Sequence, residues 1–321
     1  MKISVIIPAR NEEQSIAPLL DSLIRQTVKA SEIVITDAGS TDRTAAIIEG
    51  YPQTSVPIHL LRAGAALPGR ARNLAAAQAV NEWLAFIDAG VQPEPNWLEQ
   101  LALPAQTNKD VDVVYGTYEP VVDTLFKLCV AIATVSPPQQ VAGKLARPRS
   151  IVSALMKRSV WQQVGGFPED LRSAEDLLFM NKIEQASFCV ANAPDALVHW
   201  QVQATPWLTF KRFMTYARHN MRAGLGGQWQ AAIFQRYGFL AISALPVFWF
   251  GARWLPITFL FWLLMLAVRA GVAIWRNRTC YPNSLLKSVV RLLVLIPLIA
   301  LLDAATISGT LQWVVKDKLG L

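Results

Sequence analysis

The residues of this chain that could do chemistry stand at the ends of short apolar runs. Arg10 and Glu12 follow ISVIIPA, Asp37 closes IVITD, Arg70, Arg72 and Asn73 lie in PGRARN, and Asp88 closes WLAFID. A guanidinium fork pairs two oxygens of a diphosphate at once, and a carboxylate can hold a divalent cation bridging the same phosphates. Each residue alone is ambiguous: a strand-end aspartate also caps helices, and Ser40 or Asp42 in GSTD can cap the helix that follows. Farther on, Glu175-Asp176 offers either a general base or the acidic first turn of a helix over EDLLFMNKI. Gly165-Gly166-Phe167 just before it suits a tight turn. His199, after the strand-like ALV, is open to a structural role or to metal ligation.

The elements that must position these residues alternate. ISVII at 3–7 is a continuous β-branched run stopped by Pro8, and 15–26 repeats its apolar residues at helical spacing. IVIT at 33–36, HLL at 59–61, WLAFI at 83–87 and VDVVYG at 111–116 read as strands, with helices over 40–49 and 70–81. Such alternation predicts an α/β fold with a mostly parallel sheet covered on both faces, and ligands bind beyond the carboxyl ends of its strands. Asp37 and Asp88 fall at that edge. The first strand runs into Pro8-Ala9-Arg10-Asn11-Glu12 without a glycine, which disfavours a dinucleotide-binding dehydrogenase.

Charge divides the chain. Residues 1–204 hold 17 Lys/Arg against 21 Asp/Glu, whereas 205–321 hold 13 against 2, so the net charge of +7 comes from the C-terminal third. There the cations flank runs rich in Trp, Phe and Leu, the pattern of a segment meeting anionic headgroups and not of a nucleic-acid surface. Residues 205–236 read as a basic juxtamembrane region, with Trp207, Phe210, Phe213 and Met214 along one side of an interfacial helix. Membrane segments are expected at about 237–252, 254–275 and 289–315. The first, roughly 24 Å as a helix, falls short of a hydrocarbon core of about 30 Å, which leaves a re-entrant hairpin at Arg253 open beside full spans. Arg276, Arg278, Lys287 and Arg291 favour a cytoplasmic loop. Asp303 sits in an apolar helix, facing a protein interior or serving a proton or ion. Cys129, Cys189 and Cys280 form no CxxC pair, consistent with a reducing compartment and with neither disulfide framework nor zinc site. The N-terminus lacks a signal-peptide pattern, so residues 1–204 are expected in the cytoplasm.

Taken in order, VIIPARNEE at 5–13, IVITDAGSTDRT at 33–44, GRARNLAAAQA at 69–79, FIDAGVQPEPNWLEQL at 86–101, VGGFPEDLRSAEDLLF at 164–179 and KRFMTYARHNMR at 211–222 resemble the inverting nucleotide-diphospho-sugar glycosyltransferases of family two. The resemblance runs through most of residues 1–222 and implies the A-type glycosyltransferase fold. It places Pro8, Ala9, Arg10, Glu12, Asp37, Arg70, Arg72 and Asp88 around the donor: Ala9 and Glu12 beside the nucleotide, Asp37 at the base, Arg72 near the phosphates, and Asp88 at the ribose or the metal. It makes Asp176 the general base with Glu175 beside it. A magnesium or manganese ion held by Asp88 is implied, and His199, by its own place after ALV, is the further candidate ligand. The family usually carries a second aspartate where this chain has Gly90.

The Gln-x-x-Arg-Trp signature of the family's processive synthases is absent. Arg212, Tyr216, Arg218 and Arg222 stand there instead and are expected to contact acceptor, phosphate or headgroups. The expected activity is therefore transfer of a single sugar, with inversion, to a lipid-linked or amphiphilic acceptor at the cytoplasmic membrane face, with membrane lipids as partners and no nucleic acid. A polyprenyl-phosphate sugar synthase and a non-catalytic nucleotide-sugar-binding membrane module are the alternatives.

Overall fold

The computed structural model describes residues 1–141, 143–282 and 284–320. The chain begins with β1 (Ile3–Ala9), α1 (Ile16–Ile24), β2 (Glu32–Asp37), α2 (Thr44–Glu49), β3 (Ile58–Arg62), α3 (Pro68–Gln78) and β4 (Trp83–Phe86). There follow β5 (Val91–Pro93), α4 (Trp97–Thr107), β6 (Val113–Val121), α5 (Leu125–Thr134) and the hairpin strands β7 (Gln139–Val141) and β8 (Lys144–Ala146). Then come β9 (Ala154–Lys157), α6 (Arg158–Gln163), α7 (Glu175–Gln185) and β10 (Val190–Gln201). The remainder is helical: α8 (Pro206–Arg222), α9 (Gly226–Trp229), α10 (Ala231–Ser243), α11 (Leu245–Phe250), α12 (Leu255–Arg276) and α13 (Leu285–Gln312).

Two compact units result. The first comprises Met1–Val121 and Pro138–Gln201, the second Val122–Pro137 and Val202–Leu321. In the first unit an eight-stranded sheet runs in the order β3-β2-β1-β4-β9-β6-β10-β5. β1, β2, β3 and β4 pair in parallel, as do β6 and β10; β9 and β5 pair antiparallel with their neighbours. The mostly parallel α/β sheet expected from the alternation is therefore present. Its faces follow the two-residue side-chain period. Ile3, Val5 and Ile7 are buried with Leu19, Leu20 and Leu23 of α1 and with Trp97, Leu98 and Leu101 of α4. Ile6, Val34, Leu84 and Phe86 face the other way, onto Ala75 and Ala76 of α3 and Phe179, Met180 and Ile183 of α7.

In the second unit α13 packs against α8, α12 and α5. A Cβ on Gly309 would stand 2.1 Å from the carbonyl oxygen of Met214, so α13 approaches the α8 backbone as only glycine allows. Among the described residues, two helices are long and apolar enough to cross a membrane: Ala252–Arg276, counting the 3₁₀ turn that leads into α12, and Leu285–Lys318. The stretch 237–252 is divided between α10 and α11, of 13 and 6 residues, and ends at Gly251 with φ +82°. Neither helix alone approaches the roughly 20 residues a span requires. Asp303 is buried in α13, where Arg269 pairs with it through both guanidinium nitrogens and the Tyr237 hydroxyl donates to it at 3.2 Å. That is the protein-facing placement of the two the sequence leaves open.

Candidate active site

The site forms where the parallel strands end. Ala9 lies in register with Asp37, the Ala38 amide donates to the Ala9 carbonyl, and Asp88 stands two residues past β4. The loop after β1 is clasped to the loop after β2: the Asn11 amide donates to Ser40 Oγ at 2.9 Å and the Glu12 amide to Thr44 Oγ1 at 2.7 Å. Asn11 completes the clasp in the left-handed region, φ +57°, accepting from the Thr41 amide at 2.8 Å; asparagine tolerates this conformation better than most residues. Asp37 is buried and accepts from the Ser40 amide at 3.2 Å.

The core of the site is a chain of charges. Arg72, on the first turns of α3, is only 4% exposed, and its two terminal nitrogens reach Asp88 Oδ1 and Glu175 Oε1, each at 2.7 Å. Burial works against its charge, but Asp88, Glu175 and Asp176 outweigh it and raise its pKa. Asn73, the next residue, holds the segment leading to Glu175. Its side-chain nitrogen donates to the Phe167 carbonyl and to Glu169, each at 2.9 Å, and its oxygen accepts from the Phe167 amide and from Trp161 Nε1. Gly69, one turn earlier, touches the same segment: a Cβ there would lie 1.9 Å from the Pro168 carbonyl oxygen.

Ala174, in the left-handed conformation at φ +71°, turns the chain so that Glu175 and Asp176 open α7. Burial pushes both carboxyl groups above their ordinary pKa, against the pull of Arg72. For Asp176 the neighbouring Asp88 adds to the rise and the Leu177 amide, donating at 2.8 Å, opposes it. Glu175 is buried and its Oε2 meets no hydrogen-bond donor. Glu175-Asp176 is the acidic first turn of a helix, as one of the two readings had it, and the pair also faces the buried Arg72 guanidinium.

Of the remaining residues, Pro8 and Ala9 are backbone neighbours of Asp37 within the sheet, while Arg10 and Arg70 are solvent-exposed. His199 Nε2 lies 2.6 Å from Glu94 Oε1, a carboxylate the sequence did not single out. Arg212, Tyr216, Arg218 and Arg222 all lie on α8 of the second unit. Arg212 Nε donates to the Tyr216 hydroxyl at 2.6 Å, and Arg218 grips Asp317 through Nε and Nη2 at 2.7 and 2.9 Å.

Among the described residues, no three His, Cys, Asp or Glu side chains converge as a metal cage. A magnesium-like ion does not need one, because one or two carboxylates plus substrate phosphates suffice. Asp88, Glu175 and Asp176 face the buried cation Arg72, three carboxylates to one guanidinium, so an anionic diphosphate entering this set needs further positive charge. Glu12 borders the turn after Asp88, its carboxylate oxygens 3.6 Å from where a Cβ of Gly90 would be. The residues present therefore fit a divalent ion that arrives with its diphosphate.

The mostly parallel α/β sheet, with carboxylates and a buried arginine at its carboxyl edge, has the A-type architecture that the sequence resemblance implied. Residues 4–150 match the family model of glycosyl transferase family 2. The TarS poly(ribitol-phosphate) β-N-acetylglucosaminyltransferase of Staphylococcus aureus is 31% identical over 191 residues, 57% of this chain and 32% of that protein. The chain thus spans about a third of that relative's length. The O-antigen chain rhamnosyltransferase RfbN of Salmonella typhimurium is 27% identical over 66% of this chain and 70% of its own length. In fold, the chain is similar to the mannosyltransferase PcManGT of Pyrobaculum calidifontis, solved with GDP-Man and Mn2+ (TM-score 0.55, 21% identity, 98% of this chain and 87% of that one). It is similar also to S. aureus TarS 1–349 with UDP-GlcNAc (TM-score 0.51, 21% identity, 100% and 92%).

Proposed function

We propose that this protein transfers one sugar, with inversion, from a nucleotide-diphospho-sugar to a lipid-linked or amphiphilic acceptor at the cytoplasmic membrane face. The observation that carries the reading is the Asp88–Arg72–Glu175 chain, buried at Arg72 and Glu175 and half-buried at Asp88, with Asp176 beside it at the carboxyl edge of the sheet. In this reading Asp37 receives the base, the clasped loop from Pro8 to Glu12 lines the nucleotide, and Arg72 and Asp88 face the diphosphate. Arg10 and Arg70 are exposed and available to outer phosphate oxygens. A bound magnesium or manganese ion would neutralise charge developing on the leaving diphosphate. His199 would serve as its further ligand only in competition with Glu94.

Asp176 takes the proton of the acceptor hydroxyl as it attacks opposite the leaving nucleotide. A carboxyl lifted by burial holds that proton better than an exposed one. Glu175 keeps Arg72 in place. Arg72, pinned between two carboxylates, needs no reorganisation to meet negative charge, the condition under which electrostatic stabilisation is most effective.

The acceptor class rests on the second unit. Ala252–Arg276 and Leu285–Lys318 are proposed to cross the bilayer, with α10 and α11 together carrying the chain out to a turn at Arg253 and the ends bearing Arg276, Arg278 and Lys287 back on the cytoplasmic side. α8 supports an interfacial position: Trp207 is 61% exposed, stacks on Phe210 and carries Lys211 over its ring. Arg212, Tyr216 and Arg222 are assigned to phosphate or headgroup, and Arg218 to the last turn through Asp317. A polyprenyl-phosphate acceptor would need little deprotonation, leaving Asp176 to orient it.

Donor hydrolysis tests the reading, using UDP-, GDP- and dTDP-sugars with and without Mg2+ or Mn2+. Turnover lost in Asp176→Asn with donor binding kept supports it. Binding without turnover, even with membrane lipid extract added, favours a non-catalytic module.

A further inference from the structure

The turn after Asp88 faces a carboxylate from a different strand. The three atoms nearest a Cβ at Gly90 would be Glu12 Oε1, Oε2 and Cδ, at 3.6, 3.6 and 3.9 Å. Both oxygens are nearer than the carbon between them, so the carboxylate turns its oxygen side toward this turn. Gly90 has an ordinary backbone, and a Cβ would make only van der Waals contact. Neither torsion nor crowding therefore explains the missing side chain. What a longer acidic residue at 90 would meet is the Glu12 carboxylate, at like-charge cost.

Glu12 is held in this attitude from two sides. Its amide is fixed by Thr44 Oγ1 at 2.7 Å, and Ser15 Oγ donates to its Oε2, the side chain leaning across the first turn of its own loop. Asp88 gives one oxygen, Oδ1, to Arg72. Two carboxylates from neighbouring loop ends thus border one turn, in a site whose charge calls for a cation, and two carboxylates are the protein share of an ion that brings phosphates and water as its other ligands.

We propose that Glu12 supplies, together with Asp88, a second carboxylate ligand to the divalent cation that accompanies the donor diphosphate. The inference rests on the nucleotide-sugar reading and gives Glu12 a role beyond lining the nucleotide.

The test is Mn2+ binding to the full-length protein in detergent, read by the loss of the free-ion electron paramagnetic resonance signal, with UDP, GDP and dTDP each in turn. Loss of outer hydrogen-bond partners already costs metal sites about 10–100-fold in affinity, and a direct ligand should cost at least about tenfold. Glu12→Gln is expected to weaken nucleotide-linked Mn2+ binding by that amount, and by clearly more than it weakens nucleotide affinity without metal. Adding Gly90→Asp to Glu12→Gln should restore Mn2+ binding, which an unfolded or merely disturbed loop would not permit. Glu12→Asp, which keeps the charge but shortens the reach, should fall between the two. Unchanged Mn2+ affinity in Glu12→Gln, or an equal loss of nucleotide affinity with and without metal, overturns the assignment to Glu12 alone. No nucleotide-linked Mn2+ binding in the unsubstituted protein overturns the underlying metal-dependent reading as well.

Discussion

Arg72 carries more of the site than any other residue, because its removal leaves two carboxylates facing each other in a buried place. Arg72→Ala should destabilise the first unit by about 3–5 kcal/mol, the cost of breaking a buried pair from one side, measured as a lowered denaturant midpoint. Arg72→Lys should rescue only part, since a point charge cannot span Asp88 and Glu175 as the planar fork does. The pH dependence follows from Asp176. A base acts when deprotonated, and burial raises its pKa, so the acidic limb of the rate profile should lie above the ordinary carboxylate value of about 4 and activity should rise with pH through it. Asp176→Asn should remove that limb together with about 10²–10⁴ of the rate. Sequence supplied the candidates at this scale through residue type and order. It could not supply their partners: Arg72 and Glu175 are 103 residues apart, Arg72 and Asp88 are 16 apart, and no periodicity announces either bond. Glu94 went unnoticed because a lone glutamate in PEPNW carries no signal until β10 brings His199 to it.

At the scale of elements, the tie between α3 and the segment ending in Asp176 decides whether donor and base sides keep their spacing. Asn73 makes four hydrogen bonds across it, and Gly69 lets the backbones meet. Gly69→Ala should cost about 1–3 kcal/mol, as overpacking does, and lower turnover more than donor affinity; thermal melts and a kcat-against-KM comparison read both. The strands around this tie differ in how visible they were. β1, β2 and β4 grow from short, mostly apolar runs that end in sequence near Pro8, Asp37 and Asp88, and although β1 continues through Pro8 to Ala9, their carboxyl ends could be read directly. β9 is only four residues, ALMK, too short for periodicity to separate strand from helix. β10 contains Pro194 and Asp195 and changes register between Asn192 and Leu197, so only its ALV stretch stood out. The two antiparallel insertions, β9 and β5, therefore came from the fold and not from the pattern.

For the whole molecule, the charge division between residues 1–204 and 205–321 was plain in the sequence, while the behaviour of 237–252 was not. Hydropathy ignores the proline in the first turn of α11 and the left-handed Gly251 that break this stretch into short helices. Asp303 shows the same limit: its apolar context was legible, its partners Arg269 and Tyr237 were not, being 34 and 66 residues away. Asp303→Leu should strand Arg269 and lower the melting temperature in detergent, and adding Arg269→Leu should recover much of the loss, as expected when a buried pair is replaced rather than broken. If the apolar helices anchor the protein, it should stay with membranes through an alkaline wash and enter solution only with detergent.

The central claim, an enzyme whose base is Asp176, meets its most direct test in single-turnover sugar release from the nucleotide-sugar that binds best, comparing the unsubstituted protein with Asp176→Asn. The account predicts at least a hundredfold loss of release with donor affinity unchanged within about threefold. Equal release by both proteins, or loss of donor affinity in step with release, would contradict it.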